Sequence, residues 1–404
     1  GCKELLVERP KAGLRRIEIR VVLTAFGLSL AAATSLGFAR FAYSLLLPTM
    51  RLALHWSYFA AGAMNTVNAL GYLTGAIFVT RITDRFGNRR SFVLAGGGIV
   101  ASLALTPASP HLVPLLTLRL VSGFCGAVIF VVGSSLAQQA TVGLTRTGAA
   151  AILGIYFGGA GLGTAISGAI IPSIHGSPAT LWRLDWGVLA VITLVAMVGA
   201  TYASLQVTDP PVRSSGERHL GHYKALLPAL IAYGLFGFGY LAFLTFQVAL
   251  MGHLGLASSR VVISYLIFGI VAVVSGFVWY RPLAGRHPGR VTALIYFSGA
   301  LGAALFLVST TLLVESVAAV LFGLALMSCS TAFGVVTRAV LPPSLQTGAM
   351  GVATVAIALG QSLGPLVAGQ IADSHLGLTW AVGAGAAVIG LAAIVSLFQR
   401  TAAA

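Results

Sequence analysis

The sequence predicts an all-α membrane protein, with twelve transmembrane helices in two six-helix pseudo-symmetric bundles. Three observations predict it. Of the 404 residues, 57% are hydrophobic and only 8% are charged, against roughly 25% charged residues in a soluble domain. Apolar stretches of about 20 residues, the length that crosses hydrocarbon as a helix, recur along the whole chain. The two halves of the chain also share residues at one constant offset. A crossing segment must be helical, because main-chain groups in lipid find no water to satisfy them.

The expected spans are 21–47, 57–80, 91–107, 112–138, 148–172, 182–205, 224–250, 261–280, 291–311, 316–338, 348–372 and 378–398. Residues 1–20 form a basic N-terminal arm, 21–205 the first six-helix bundle and 224–400 the second. Between the bundles lies the longest polar interruption, QVTDPPVRSSGERHLGHY (206–223), whose Pro, Gly and Ser content reads as a linker.

Charge fixes the expected orientation. With the N-terminus inside, nineteen of the 24 basic residues fall in inner segments and three (Arg51, Arg183 and Arg260) in outer loops. Cytoplasmic loops carry such an excess. Both termini are therefore expected in the cytoplasm of a bacterial inner membrane. The net charge of +15 is scattered over short loops, with no basic domain that would hold nucleic acid. The three cysteines have neither disulfide-framework nor zinc spacing. The first apolar run is too long for a cleavable signal peptide and follows a basic segment.

The internal repeat has an offset of 200 residues. It pairs Gly37 with Gly237, Phe38 with Phe238, Ala42 with Ala242, Arg90 with Arg290, Gly123 with Gly323, and Thr147-Gly148-Ala149 with Thr347-Gly348-Ala349. Parallel six-helix repeats are the plan of one large transporter class, with the substrate site between the halves.

The loop RITDRFGNRR (81–90) resembles the loop 2–3 signature of the major facilitator superfamily, G-x-L-x-D-R-x-G-R-[RK]. Asp84, Arg85, Gly87, Arg89 and Arg90 match it; Thr80 replaces the leading glycine and Asn88 adjusts the spacing. The resemblance implies a gating role for these five residues, with Asp84 set against the start of span 11 near Gly348. A carboxylate there stabilises a helix N-terminus by about 1 kcal/mol; the alternative is a loop that only anchors orientation. Arg119-Leu-Val-Ser-Gly123 is similar to the R-x-x-x-G motif of span 4. Span 5 is glycine-rich like that of the antiporter branch but lacks its Gly-Pro pair, and Gly154/Gly158, Gly159/Gly163 and Gly360/Gly364 have close-packing spacing. Gly37, Arg40, Phe41, Ala42 and Tyr43, with Asn65, Asn68, Gly71, Tyr72, Leu73 and Gly75, resemble the YbfB/YjiJ-type branch of the superfamily.

Arg40 and Arg119 lie inside apolar spans. An arginine at the bilayer centre costs about 2.5–3.5 kcal/mol on insertion scales. All nine acids are placed in inner segments or, for Asp185, Glu315 and Asp373, at outer span ends, and the eight histidines fall in loops. The interior is thus expected to hold two guanidiniums and no acidic partner. Three readings stand open for Arg40: a site for an anionic substrate, a gate pair with Asp185 or Asp373, or a structural arginine snorkelling outward. The candidate substrate-binding residues are Arg40, Arg119, Tyr43, Asn68, Tyr72, Tyr156, Tyr240, Gln247 and Gln361; Tyr240 is the repeat partner of Arg40.

No phosphate-binding loop, metal-ligand cluster or nucleophile constellation is present in the sequence, so neither enzyme activity nor a cofactor is expected. The expected function is transport of a small organic anion by alternating access, by a monomer in the bilayer, with a proton or counter-anion as a possible coupling ion. The alternative is proton-coupled efflux of amphipathic or cationic drugs.

Overall fold

The computed structural model describes residues 11–209, 220–285, 287–308 and 310–399. The first ten residues of the expected arm, residues 210–219 of the linker, and Arg400 lie outside them. Fourteen α-helices follow one another: α1 (Lys11–Ala32), α2 (Tyr43–Leu54), α3 (Tyr58–Phe86), α4 (Asn88–Leu105), α5 (Leu112–Gln139), α6 (Arg146–Ile170), α7 (Pro178–Leu205), α8 (Leu227–His253), α9 (Ser258–Leu283), α10 (Pro288–Val308), α11 (Leu312–Leu326), α12 (Ser328–Val340), α13 (Pro343–Asp373) and α14 (Gly377–Leu397).

Among the described residues, eleven helical stretches are long and apolar enough to cross a membrane. The first, Ile19–Leu54, joins α1 and α2 through a π-helical segment, Ala33–Phe41. There Ala42 N donates to Gly37 O at 2.9 Å, five residues back. Such wide turns are frequent at functional sites, and this one carries Arg40. Likewise α11 and α12 form one stretch, Leu312–Val340. The segment expected as span 2 is α3, whose 29 residues reach about 44 Å at 1.5 Å each. It is not among the eleven, because Asn65, Thr66, Asn68, Thr80, Arg81 and Asp84 lower its hydropathy.

The outward surface is apolar: Val308 is 78% exposed, Leu313 75% and Val195 67%, as suits a hydrocarbon solvent. Inside, many buried hydroxyls donate to a carbonyl of their own helix. Thr164 bonds Ala160 O and Ser167 bonds Gly163 O, each at 2.8 Å, which satisfies a polar group without a second helix.

The first seven helices pack mainly on one another, and so do the last seven. Between the two groups, α3 packs on α13, α6 on α9 and α2 on α8. Small residues bring backbones close where lipid supplies no hydrophobic drive. A Cβ added to Gly123 would stand 2.0 Å from Asn68 O, and one on its repeat partner Gly323 would stand 3.0 Å from Phe268 O. Both pairs keep the 200-residue offset. In α6, Gly159 and Gly163 face Ser29 O and Ala33 O, while in α13 Gly360 and Gly364 face Gly234 O and Phe238 O. The expected close-packing spacing is thus used for helix contact.

Gly123→Ala should lower the unfolding midpoint of the detergent-purified protein, because overpacking costs about 1–3 kcal/mol. Gly351→Ala, at a helical position with nothing within 4 Å, should leave it unchanged or raise it. Equal midpoints for the two variants would contradict the α3–α5 contact.

Candidate functional site

Two buried guanidiniums organise the interior: Arg40 is 2% exposed and Arg119 1%. Their surroundings differ. Arg119, on α5, donates Nη1 to Ala39 O at 2.6 Å, Nη2 to Asn65 Oδ1 at 3.2 Å and Nε to Met64 O at 3.4 Å. It lies 5.2 Å from the centroid of Tyr43 and 5.6 Å from that of Trp186. The π-helical segment, α3 and α7 therefore close around it with neutral acceptors and ring faces. Its own carbonyl accepts from Asn68 Nδ2 at 3.2 Å.

Arg40 is less fully answered. Its Nη2 donates to Gln361 Oε1 at 2.7 Å, and its guanidinium lies 5.3 Å from the Tyr72 centroid. Its Nε is buried and has no hydrogen-bond partner among the described residues. Gln361 in turn donates Nε2 to Tyr240 Oη at 2.6 Å. A chain of polar groups thus runs from the π-helical segment through α13 to α8, from the first group of helices to the second. Beside it, Asn65 Nδ2 donates to Thr245 Oγ1 at 2.8 Å, again from α3 to α8.

The candidate residues therefore separate. Arg40, Tyr72, Tyr240 and Gln361 form one cluster. Arg119, Tyr43 and Asn68 form another, with Asn65 and Trp186. Tyr43 turns away from Arg40: its hydroxyl donates to Ala61 O at 2.8 Å and its ring stacks on Trp186 at 6.5 Å. Tyr156 belongs to neither cluster, since it donates to Phe130 O at 2.7 Å within a group of aromatic rings. Gln247 is buried on α8, two turns beyond Tyr240. Trp186, Thr245 and Tyr265 were not among the expected site residues. Tyr265 meets the Ser44 hydroxyl between α9 and α2.

The acids correct one expectation. Asp185, expected at a span end, is 1% exposed, and its Oδ1 has no hydrogen-bond partner among the described residues. The helix begins at Pro178, four residues before the expected boundary, so Asp185 lies two turns inside α7. Glu315 pairs with Arg260 at 2.9 Å. Asp373 binds the main chain, its Oδ1 accepting from Tyr58 N at 2.7 Å and its Oδ2 from Phe59 N at 2.8 Å. Neither Asp185 nor Asp373 forms an ion pair with Arg40 among the described residues, so this conformation holds no Arg40 gate pair. No metal-binding cluster occurs among the described residues.

The expected 81–90 loop is helical except at Gly87, because α3 runs on to Phe86 and α4 starts at Asn88; Gly87 adopts φ 78° between them, and its N–H closes α3 onto Thr83 O at 2.8 Å. That left-handed conformation favours glycine. Arg89 donates to Val207 O at 2.7 Å, tying the loop to the end of α7. Arg85 lies 5.7 Å from the Phe86 centroid, and Arg90 and Asp84 are exposed. Asp84 makes no hydrogen bond or ion pair among the described residues. The helix expected to begin near Gly348 begins at Pro343.

Residues 32–397 match the family described as the uncharacterised MFS-type transporter YbfB. The chain belongs to that family, and it is a multi-pass membrane transporter of the major facilitator superfamily rather than an enzyme. No curated protein matches it significantly. Its fold is similar to that of a mutant of the nucleoside transporter NupG, with a TM-score of 0.75, 11% identity, and coverage of 95% of this chain and 100% of that one. It is also similar to a bacterial homologue of the human lysosomal transporter Spinster in an inward-facing and occupied conformation. There the TM-score is 0.70, the identity 15%, and each chain is covered over 97%. At such identities the likeness concerns the fold.

Arg119→Met should destabilise the protein by about 2 kcal/mol or more, because it strands acceptors that bond a charged group. Arg40→Met, which removes one such bond rather than three, should cost less, about 1.5 kcal/mol. Thermal unfolding in detergent orders the two, and the reverse order would refute the division into a supporting and a receptive arginine.

Proposed function

We propose that this transporter carries a small organic anion, bound at Arg40 between two six-helix bundles that rock about the site. The observation that supports it is the state of Arg40: a buried cation whose single hydrogen-bonded partner among the described residues is a neutral amide, with Nε left over. A carboxylate, sulfonate or phosphate suits the planar fork of a guanidinium. Tyr72, Tyr240 and Gln361 complete the polar cluster around it from α3, α8 and α13. Arg119, already enclosed by carbonyls and rings, holds the π-helical segment that presents Arg40. Arg40 thus serves neither as a snorkelling residue nor as half of an aspartate pair in this reading.

Twelve crossings follow when α3 is counted with the eleven apolar stretches, and the 200-residue offset relates the bundles. The excess of basic residues in alternate loops supports cytoplasmic termini in a bacterial inner membrane. Asp84 and its loop gate the cytoplasmic end. Proton-coupled drug efflux finds no support in the family or in the similar structures.

Gln361 Oε1 occupies, in this reading, the place of one substrate oxygen. A thermal-shift screen of carboxylates, sulfonates and phosphates against organic cations should show stabilisation by one anion class. Arg40→Ala should abolish that response in protein that remains folded. Gln361→Glu should abolish it too, because a tethered carboxylate neutralises Arg40, whereas Gln361→Ala should keep it. Full retention of the response in Arg40→Ala would remove Arg40 from the site.

A further inference from the structure

At one end of the molecule, α3 begins and α13 finishes. At that exposed end all four leading amides of α3 find acceptors, which a helix start needs from outside its own ladder. Ala60 N donates to Ser57 Oγ at 3.1 Å and Ala61 N to Ser57 O at 3.1 Å. Tyr58 N and Phe59 N donate to the two oxygens of Asp373, the last residue of α13. The N-terminus of one helix is thus capped half by its own serine and half by a carboxylate more than 300 residues away. The contact is closely built. The Arg51 guanidinium lies 3.8 Å from the Tyr58 centroid, and a Cβ on Gly369 would stand 2.5 Å from Tyr58 O.

The two helices run antiparallel in a steady register. Residue 58 meets 373, Gly62 meets Pro365 O, and Thr66 Oγ1 donates to Ser362 O at 2.7 Å. Extended along both helices, the register brings residue 84 opposite 343–347, the first turn of α13. That turn follows Pro342 and has no side-chain cap. Asp84 stands in the last turn of α3, two residues before its end, exposed and without a hydrogen bond among the described residues. Each helix therefore carries an aspartate near its C-terminus and an N-terminus that accepts one, at opposite ends of the same pair. In this structure one of the two contacts is made.

We propose that Asp373 is a gating residue: it latches the end where α3 begins, and it alternates with Asp84 at the other end. A negative charge at a helix N-terminus is stabilising in either contact. Rocking that closes one end of the α3–α13 pair opens the other, so the two caps exclude each other. Transport needs both states accessible, and two latches of similar strength keep them so. The inference rests on the alternating-access reading and not on the choice of substrate.

The test uses full-length protein with Cys2, Cys125 and Cys329 replaced by serine and reconstituted in lipid. Spin labels at Val113 and Leu313 report one end, and labels at Val142 and Arg338 the other. Asp373→Ala should lengthen the Val113–Leu313 distance and shorten the Val142–Arg338 distance, shifting the ratio of the two populations by about fivefold, the usual effect of a lost cap. Asp84→Ala should shift it the opposite way, and the double variant should return towards the parent ratio. Asp373→Asn, which keeps one acceptor, should lie between and is read by the same criteria if the alanine variant does not fold. An unchanged ratio in both Asp373 variants, or a shift in the same direction from Asp84→Ala, overturns the latch. A single distance at both ends in every variant would instead overturn alternating access. The anion response at Arg40, measured by thermal shift, is independent of either result.

Discussion

A polar group sunk in an apolar solvent must be answered by another polar group of the same chain. That constraint shapes this molecule more than any single motif. Arg119 shows the rule met in full, its three nitrogens turned to two carbonyls and an amide, its flat faces to rings. The wide helical turn at Ala33–Phe41 belongs to the same answer, since it places Ala39 O where Arg119 can reach it. Many buried serines and threonines meet the rule by bonding their own helices, and others, such as Ser35 on Gly126 O, by bonding a neighbour. Arg40 meets it only in part, with one hydrogen bond and an unanswered Nε, and Asp185 Oδ1 is likewise left without a hydrogen-bond partner among the described residues.

The same rule governs the ends of α3. A helix start in this setting needs acceptors for its amides, and α3 takes two of them from another helix. An element that borrows its cap is stable only while the lender stays in place. The stability of α3 at that end therefore depends on how the two groups of helices sit together, which no helix satisfied within itself would show.

The fold could be read from the sequence because hydropathy belongs to each residue alone and survives any arrangement. Boundaries were less legible. α13 begins at Pro343 and α7 at Pro178, both earlier than their apolar cores, because helix starts are set by backbone geometry and continue into polar sequence. Arg40 and Arg119 stood out as charges in apolar runs, and Tyr240 through the repeat. Their different roles did not. Tyr43 follows Arg40 by three residues and would share its face on an α-helix. The wide turn advances each residue through a smaller angle, and Tyr43 comes to face Trp186. Asp373 was visible as an acid, but its partners are main-chain amides, which leave no trace in the sequence. The burial of Asp185 was hidden for a related reason, because four extra residues of helix were enough to carry it inward.

Where α6 meets α9, Gly161 and Gly269 lie against each other: a Cβ on either would stand within 2.5 Å of the other's carbonyl oxygen. Backbone touches backbone at that point, with the Val273 and Tyr265 side chains seated against Gly158, Gly161 and Gly168 on either side of it. A spindle runs true only when its pivot is narrow, and here the pivot is two glycines wide, so a bulkier residue at either one would wedge the two groups of helices apart.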